Sequence, residues 1–443
     1  MFPAALMTYD YIVVGGGIAG LTIAELLQRS GRSVLLLEAR SQLCSDASAQ
    51  QHGWFHTGAL YAALPSSQFF RILVGNLDDL INYYSAFPRM NLRSGRYLIT
   101  SHAAGWFENT TNYYCYTHPA DPAIAWWFKP LWALAALRAK SRLAWFEGLD
   151  FSRELSPQIR SLAFSTAFSR ITARRRFDFD LGQKGAVLKS RDRTMNTRLI
   201  ITDLVNSFLT GGGQVKLDAR VARVRRGAVT DQNGTHHARH VIVAAGRGTA
   251  SLSGLNLKVV QSPLLVVRPA LTDVNLVRMH PVITQTINHI YHSSVEGDYS
   301  VLGSARYYPL DPNLDVHRIH REMVEHASRV FRRDIELDRT SIYFGYKTEL
   351  VGAKQLRNYQ YHILETEDCL VALPGKMTLA FSLAVNVCRH FGIDPCSNVP
   401  PFNPDVGANL VSNAAHYETF LSMNRPSSSD PSPGPVSNSQ PKV

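Results

Sequence analysis

The chain has no run of about 18 uninterrupted apolar residues, so no membrane-spanning helix is expected. It has only five cysteines, Cys44, Cys115, Cys369, Cys388 and Cys396. Their number is odd and their spacing fits no paired metal-ligand motif, which suits a reducing cytosol and predicts no bound metal. His236 and His237 are adjacent, also without metal spacing, and read as turn surface. Met1 to Met7 lacks the basic start of a secretory signal, so a cytoplasmic location is expected, either free or peripheral at the inner membrane face. No internal repeat is present. Acidic residues are outnumbered, 35 Asp and Glu against 46 Lys and Arg, for a net charge of +11. Two clusters contribute, Arg174 to Arg176 and Arg220, Arg223, Arg225 and Arg226. They are either a solvated face or an attractor of an acidic substrate, an anionic membrane or nucleic acid.

At 443 residues the chain is too long for one simple core, and its 45% apolar and 18% charged content is that of an ordinary two-domain globular protein. Its most informative run is Tyr9-Asp10-Tyr11-Ile12-Val13-Val14-Gly15-Gly16-Gly17-Ile18-Ala19-Gly20, followed by Val34-Leu35-Leu36-Leu37-Glu38. It reads as strand, glycine turn, helix, strand and acid. Gly15 allows the tight turn, Gly17 lets the backbone approach a pyrophosphate, and Gly20 lets the helix lie on the sheet. The helix N-terminus offers free N–H groups to the phosphates, and Glu38 can accept hydrogen bonds from a ribose diol. Downstream, Ala238 to Gly246 reads as a buried strand ending in the small residues Ala245 and Gly246. Leu373-Pro374-Gly375-Lys376-Met377-Thr378 opens an apolar helix from Leu379 to Val387.

These three segments, in this order, resemble the FAD-dependent oxidoreductases of the D-amino-acid oxidase superfamily. The resemblance spans residues 8 to 400. It implies an α/β fold, with a Rossmann-like FAD-binding domain and an interleaved α+β substrate domain built on an antiparallel sheet. Residues 8–93, 155–255 and 355–423 would form the first domain and 94–154 and 256–354 the second. Residues 424–443, rich in Ser and Pro, should be a disordered tail. The resemblance places Arg40 near the adenosine, the backbone of Val221 at the adenine, and Gly375, Lys376, Met377 and Thr378 at the flavin.

Between these anchors, helices are expected at Ser66 to Tyr84, Thr197 to Leu209 and Val316 to Phe331. Strands are expected at 94–100, Gln214 to Val224, Ala228 to Thr230, Val259 to Val267, Val282 to Tyr291, Ser300 to Tyr307 and Ser341 to Tyr346.

The loop Ser48 to Tyr61 mixes polar residues, glycines and aromatics without helical or strand period. Its His56, Gly58 and Tyr61 look most like the branch of L-2-hydroxyglutarate and glycerol-3-phosphate dehydrogenases, whose matching loop passes the flavin ring. Those relatives carry a polar pair where this chain has His52 and Gly53. The implied reaction oxidises a CH–OH or CH–NH bond of a small anionic molecule by hydride transfer to flavin N5. His56 is the candidate base, because a neutral imidazole suits proton removal near pH 7; the other reading is a histidine that only bonds backbone. His52 is a second base candidate or a flavin-attachment site. Lys347 and Arg306 are candidate substrate cations, and Lys376 is placed to stabilise anionic reduced flavin, unless these three point to solvent.

Ala123 to Phe146 contains four of the six tryptophans, Trp126, Trp127, Trp132 and Trp145, interleaved with Lys129, Arg138, Lys140 and Arg142. It is either an interfacial element serving a membrane quinone or a packed helical insertion. Beside a small-molecule oxidoreductase, three rivals stand: an amine or amino-acid oxidase on the same fold, a flavoprotein that modifies tRNA, and a flavin-binding protein without turnover. Nucleic acid is not the expected partner.

Overall fold

The computed structural model describes residues 8–93, 98–99, 105–108, 110, 112–117, 131, 133–139, 141–142, 185–190, 192–293, 297–352 and 359–411. The triple-arginine cluster, the C-terminal tail and most of 123–146 lie outside these residues.

The first sheet is built around the opening strand, Thr8–Val14. Val34–Leu37 pairs parallel on one side of it and Gly234–Val243 on the other. Gln214–Lys216 extends the sheet beyond Val34–Leu37, and Leu370–Leu373 lies parallel to the end of Gly234–Val243. The strands are apolar at consecutive positions because both faces are covered. Val13, Leu36 and Ile242 share a core with Leu21 and Leu26 of helix Ile18–Arg29, Leu204 of helix Thr197–Thr210 and Val387 of helix Ala380–His390. Ile12, Val14, Leu35, Leu37 and Val243 pack on the opposite face, beside Val224 and Val229 of an antiparallel arm. That arm is made by Arg223–Arg225 and Ala228–Asp231, paired back onto Gly234–Val243. The single strand expected from Gln214 to Val224 is therefore two. It breaks at Asp218, whose φ is +52°, and its first piece joins the parallel sheet.

The second sheet is antiparallel except for one pair. Thr340–Glu349 runs along Lys258–Val267 for ten residues, followed by Tyr299–Ser304, Ile287–His292 and Asn275–Met279. Asn275–Met279 lies parallel to Asn112–Thr117, which pairs antiparallel with Gly185–Ser190. Strand Asn275–Met279 was not read from the sequence. The expected strand from Val282 starts only at Ile287, because Ile283–Gln285 forms a 3-10 turn. Strand Gly185–Ser190 falls within the segment expected to bind FAD, yet it belongs to this sheet. The chain then returns at once, as Arg193–Met195 pairs with Trp54–Phe55 and Phe107–Glu108. Asp192 sits at that crossing.

Alternation gives the second sheet two distinct faces. Leu265, Val267, Leu276 and Leu302 pack on Met323, Ala327 and Phe331 of helix Val316–Phe331. The other face carries Ser262, Leu264, Val301, Tyr343 and Lys347 and meets the loop that follows the first nucleotide-binding unit.

Candidate active site

The glycine turn makes a cradle that side chains would fill. Gly15 has φ +105°, and a Cβ there would lie 2.6 Å from the Ala244 carbonyl oxygen and from Ala245 Cα. The turn and the end of strand Gly234–Val243 thus touch backbone to backbone. A Cβ at Gly20 would overlap the Gly15 carbonyl, so the helix lies as close as the chain permits. A Cβ at Gly17 would meet nothing nearer than Ser48 Oγ at 3.5 Å, which leaves its outward side open. Ser48 Oγ accepts the Ile18 N–H at 2.9 Å. Glu38 Oε2 accepts the Gly16 N–H at 2.6 Å and Oε1 the Arg40 N–H at 2.9 Å, so the acid holds the turn. Burial raises the Glu38 carboxyl above its ordinary range despite these bonds. Arg40 reaches Asp46 at 3.3 Å, Val221 lies partly buried between Gln214–Lys216 and Arg223–Arg225, and Gly246 follows Ala245 into a short turn. A side-chain-free turn at a helix N-terminus, with an acid at the next strand end, fits the pyrophosphate and ribose of an adenine dinucleotide such as FAD.

The loop from Ser48 to Tyr61 crosses from this cradle to the second sheet. Tyr343 Oη donates to the Gln51 carbonyl at 3.2 Å. A Cβ at Gly345 would stand 2.7 Å from the Gln50 carbonyl, so only glycine allows strand and loop this close. His56 is buried, and its N–H donates to Thr378 Oγ1 at 3.3 Å, which joins the loop to the second glycine turn. The Trp54 ring stacks on the His56 ring at 5.9 Å.

Beneath them lies Asp192, fully buried, which sequence reasoning missed. Its Oδ2 accepts from Trp54 Nε1 and Tyr114 Oη, both at 2.6 Å. Its Oδ1 accepts from the Thr57 N–H at 2.8 Å and Thr57 Oγ1 at 2.7 Å. His56 Nδ1 stands 3.7 Å from Oδ2. Burial alone would raise this carboxyl, but the neighbouring His56 ring and the hydrogen bonds from Tyr114 and Thr57 outweigh it and hold Asp192 below its ordinary range. Flanked in sequence by Arg191 and Arg193, Asp192 reads as a surface charge, and no spacing signals otherwise.

His52 Nδ1 accepts the Trp54 N–H at 3.2 Å, and its Nε2 lies 3.2 Å from the Asn288 amide. Burial, and then the charges of His56, Lys347, Lys376 and His292, push its pKa well below the ordinary histidine value. The His56 ring centroid lies 6.2 Å from that of His52, and His292 Nε2 is 3.4 Å from the His52 carbonyl. His292, stacked on Tyr299 at 5.0 Å, is lowered by burial to about 4 and lies against Gly53. Lys347 Nζ donates to Ser262 Oγ at 2.6 Å on the loop-facing side of the sheet. Lys376, between Gly375 and Met377, stands over the rings of Tyr61 and Tyr359, 5.3 Å from each centroid. Arg306 is not part of this group. It follows Ser304 on the helix-covered face, and its Nη1 donates to Glu322 of helix Val316–Phe331 at 2.7 Å.

The family pattern described as FAD dependent oxidoreductase matches residues 10–350. Glycine oxidase from Geobacillus kaustophilus superposes with TM-score 0.60 at 15% identity, over 91% of this chain and 98% of that one. L-alpha-glycerophosphate oxidase from Mycoplasma pneumoniae, with FAD bound, gives 0.62 at 14% identity over 90% and 98%. An unusual amino acid oxidase essential for nikkomycin biosynthesis gives 0.61 at 16% identity over 93% and 99%. A flavin-containing amine oxidase from Danio rerio is 39% identical over 67 residues, which span 14% of this chain and 13% of that protein. The matched pattern runs through the cradle, the loop and the second sheet, and on that ground the chain belongs to the FAD dependent oxidoreductases and is an enzyme that uses FAD.

Proposed function

We propose that this enzyme oxidises the CH–OH bond of a small anionic substrate to a carbonyl, with His56 as the base that removes the hydroxyl proton. FAD supplies the acceptor for the hydride at its N5 atom. The cradle of Gly15, Gly17 and Gly20, with Glu38, would hold the dinucleotide, and the Gly375 turn with Lys376, Met377 and Thr378 its flavin end. His56 takes the proton as the C–H electron pair leaves, so that one hydride and one proton depart and a C=O bond forms. The resulting imidazolium is stabilised by the buried Asp192 carboxylate. Lys347 binds the anionic end of the substrate from the sheet above. Trp54, Tyr343 and Tyr61 exclude water around the reacting atoms.

The observation that supports this reading is the place of His56 on the loop between the two sheets, joined through its backbone to the second glycine turn and with its Nδ1 3.7 Å from the buried Asp192 carboxylate. The test is anaerobic loss of flavin absorbance with a panel of 2-hydroxy acids, glycerol phosphates, amino acids and amines. Bleaching by a hydroxy acid or glycerol phosphate is expected. Bleaching by amino acids or amines alone would move the enzyme to CH–NH oxidation.

A further inference from the structure

We infer that Asp192 is a positioning residue that sets the tautomer and basicity of His56; this rests on His56 acting as the base. Asp192 lies at the crossing between Gly185–Ser190 and Arg193–Met195, and donors of Trp54, Thr57 and Tyr114 fix its two oxygens. A carboxylate held from three directions cannot follow a moving histidine, so His56 must orient to it. Nδ1, at 3.7 Å from Oδ2, is the ring nitrogen directed at the charge. In the inferred arrangement a proton on Nδ1 faces that charge, and Nε2 keeps the lone pair that takes the substrate proton. Among the described residues the ionisable groups around His56 include Asp192 and Tyr114 beneath, His52 on its own loop, and His292, Lys347 and Lys376 beyond His52. Of these only Asp192 is anionic at neutral pH. Its charge favours the imidazolium that forms during catalysis.

The test is the pH profile of anaerobic flavin reduction in Asp192→Asn, Tyr114→Phe and His56→Ala, each with FAD content and thermal midpoint measured. Asp192→Asn keeps the shape and removes the charge. Its rate is expected to fall about tenfold or more, and the acid limb to move down by about one pH unit, because the base loses its anionic neighbour. Tyr114→Phe deletes a neutral donor and should not move the limb downward. A slower Asp192→Asn enzyme with an unmoved limb would reduce Asp192 to a scaffold residue. Unchanged reduction in His56→Ala would instead overturn the base assignment itself.

We further infer that the described helical residues between Leu131 and Arg142 dock on an anionic lipid surface. Leu131, Leu134 and Leu137 are 53%, 50% and 54% exposed, while Ala139 is buried. Arg142 donates to the carbonyls of Ala62, Leu64, Pro65 and Ser66, and Arg138 to that of Ala63. The helix is thereby clamped to the loop bearing Leu64, itself 37% exposed. Segments 47–77 and 131–142 contain Arg71, Arg138 and Arg142 among their described residues and no acidic residue. Four outward leucines beside so one-sided a charge match a bilayer with anionic headgroups.

Sedimentation with phosphatidylcholine vesicles, with and without phosphatidylglycerol, tests this on wild type and on Leu134→Ser/Leu137→Ser. Wild type should pellet with the anionic vesicles. The variant, with its FAD content intact, should bind about 100-fold more weakly, at roughly tenfold per leucine. Wild type left in the supernatant, equal binding by the variant, or a variant that only turns a dimer into a monomer would overturn the lipid assignment.

Discussion

Gly17 and Gly15 sit two residues apart in one turn and should fail differently when substituted. Gly17 has φ −69° and ψ 174°, a conformation open to any residue, with only Ser48 Oγ near its missing Cβ. Gly17→Val should therefore fold, with unchanged circular dichroism, yet purify with little FAD, because its side chain enters the space the pyrophosphate needs. Full FAD occupancy in that variant would remove the cradle assignment. Gly15 was legible for another reason: a strand that must turn with positive φ has few residue choices. His56 and Lys347 stand out in the sequence because their residue types carry chemistry, and the structure places His56 on the loop and Lys347 on the side of the second sheet that meets it. Asp192 was not, since nothing local distinguishes a buried acid from a solvated one between two arginines. Its burial depends on partners 78 and 138 residues away, Tyr114 and Trp54.

Elements were legible where one face alone decides them. Helix Val316–Phe331 follows its amphipathic pattern to the residue, and the Asp315 side chain accepts the Arg318 N–H at 2.9 Å to cap it. Edge strands set by distant partners were not, as Asn275–Met279 and Gly185–Ser190 show. Arg306 lies apart from the His52–His56 loop, paired with Glu322, for a related reason, because side chains alternate across a sheet and the parity of a strand end is fixed by pairing rather than composition. Helix Ile18–Arg29 adds an ion pair that its sequence hides. Arg29 Nε donates to Glu25 Oε1 at 2.7 Å with both side chains nearly inaccessible, and the guanidinium lies over the Tyr84 and Phe87 rings. Glu25→Ala leaves that cation buried and should destabilise by about 3–5 kcal/mol in urea denaturation. Glu25→Met with Arg29→Met together should lose much less. A loss below about 1 kcal/mol in the single variant would show that water reaches the site.

At the scale of the whole molecule, two sheets meet across one loop, and histidines are buried around their junction and in the second core. Burial lowers His289 to about 3 and His292 to about 4, and lowers His326 to about 4 with help from nearby arginines. His52 is lowered as well. These groups stay neutral in the folded enzyme, while in the unfolded chain they take up protons below about pH 6.5. The unfolded state therefore binds more protons as pH falls. Their contribution to stability is complete above about pH 6.5 and is lost towards pH 4, at up to about 1.4 kcal/mol per pH unit for each group. Denaturation midpoints should fall steeply between pH 7 and 5; a flat profile would mean that these rings are already charged or exposed in the native state.

Among the described residues no helix is long and apolar enough to cross a membrane. The junction is the place of the proposed chemistry, with His56 as the base that would take the substrate proton. Stopped-flow reduction of the enzyme-bound flavin under anaerobic conditions tests it most directly, with wild type and His56→Ala compared on the substrate that bleaches wild type best. The expected result is full FAD content in both proteins and reduction slowed by about 100-fold or more in His56→Ala, with the deficit shrinking as pH rises. Equal reduction rates at equal FAD content would contradict the account.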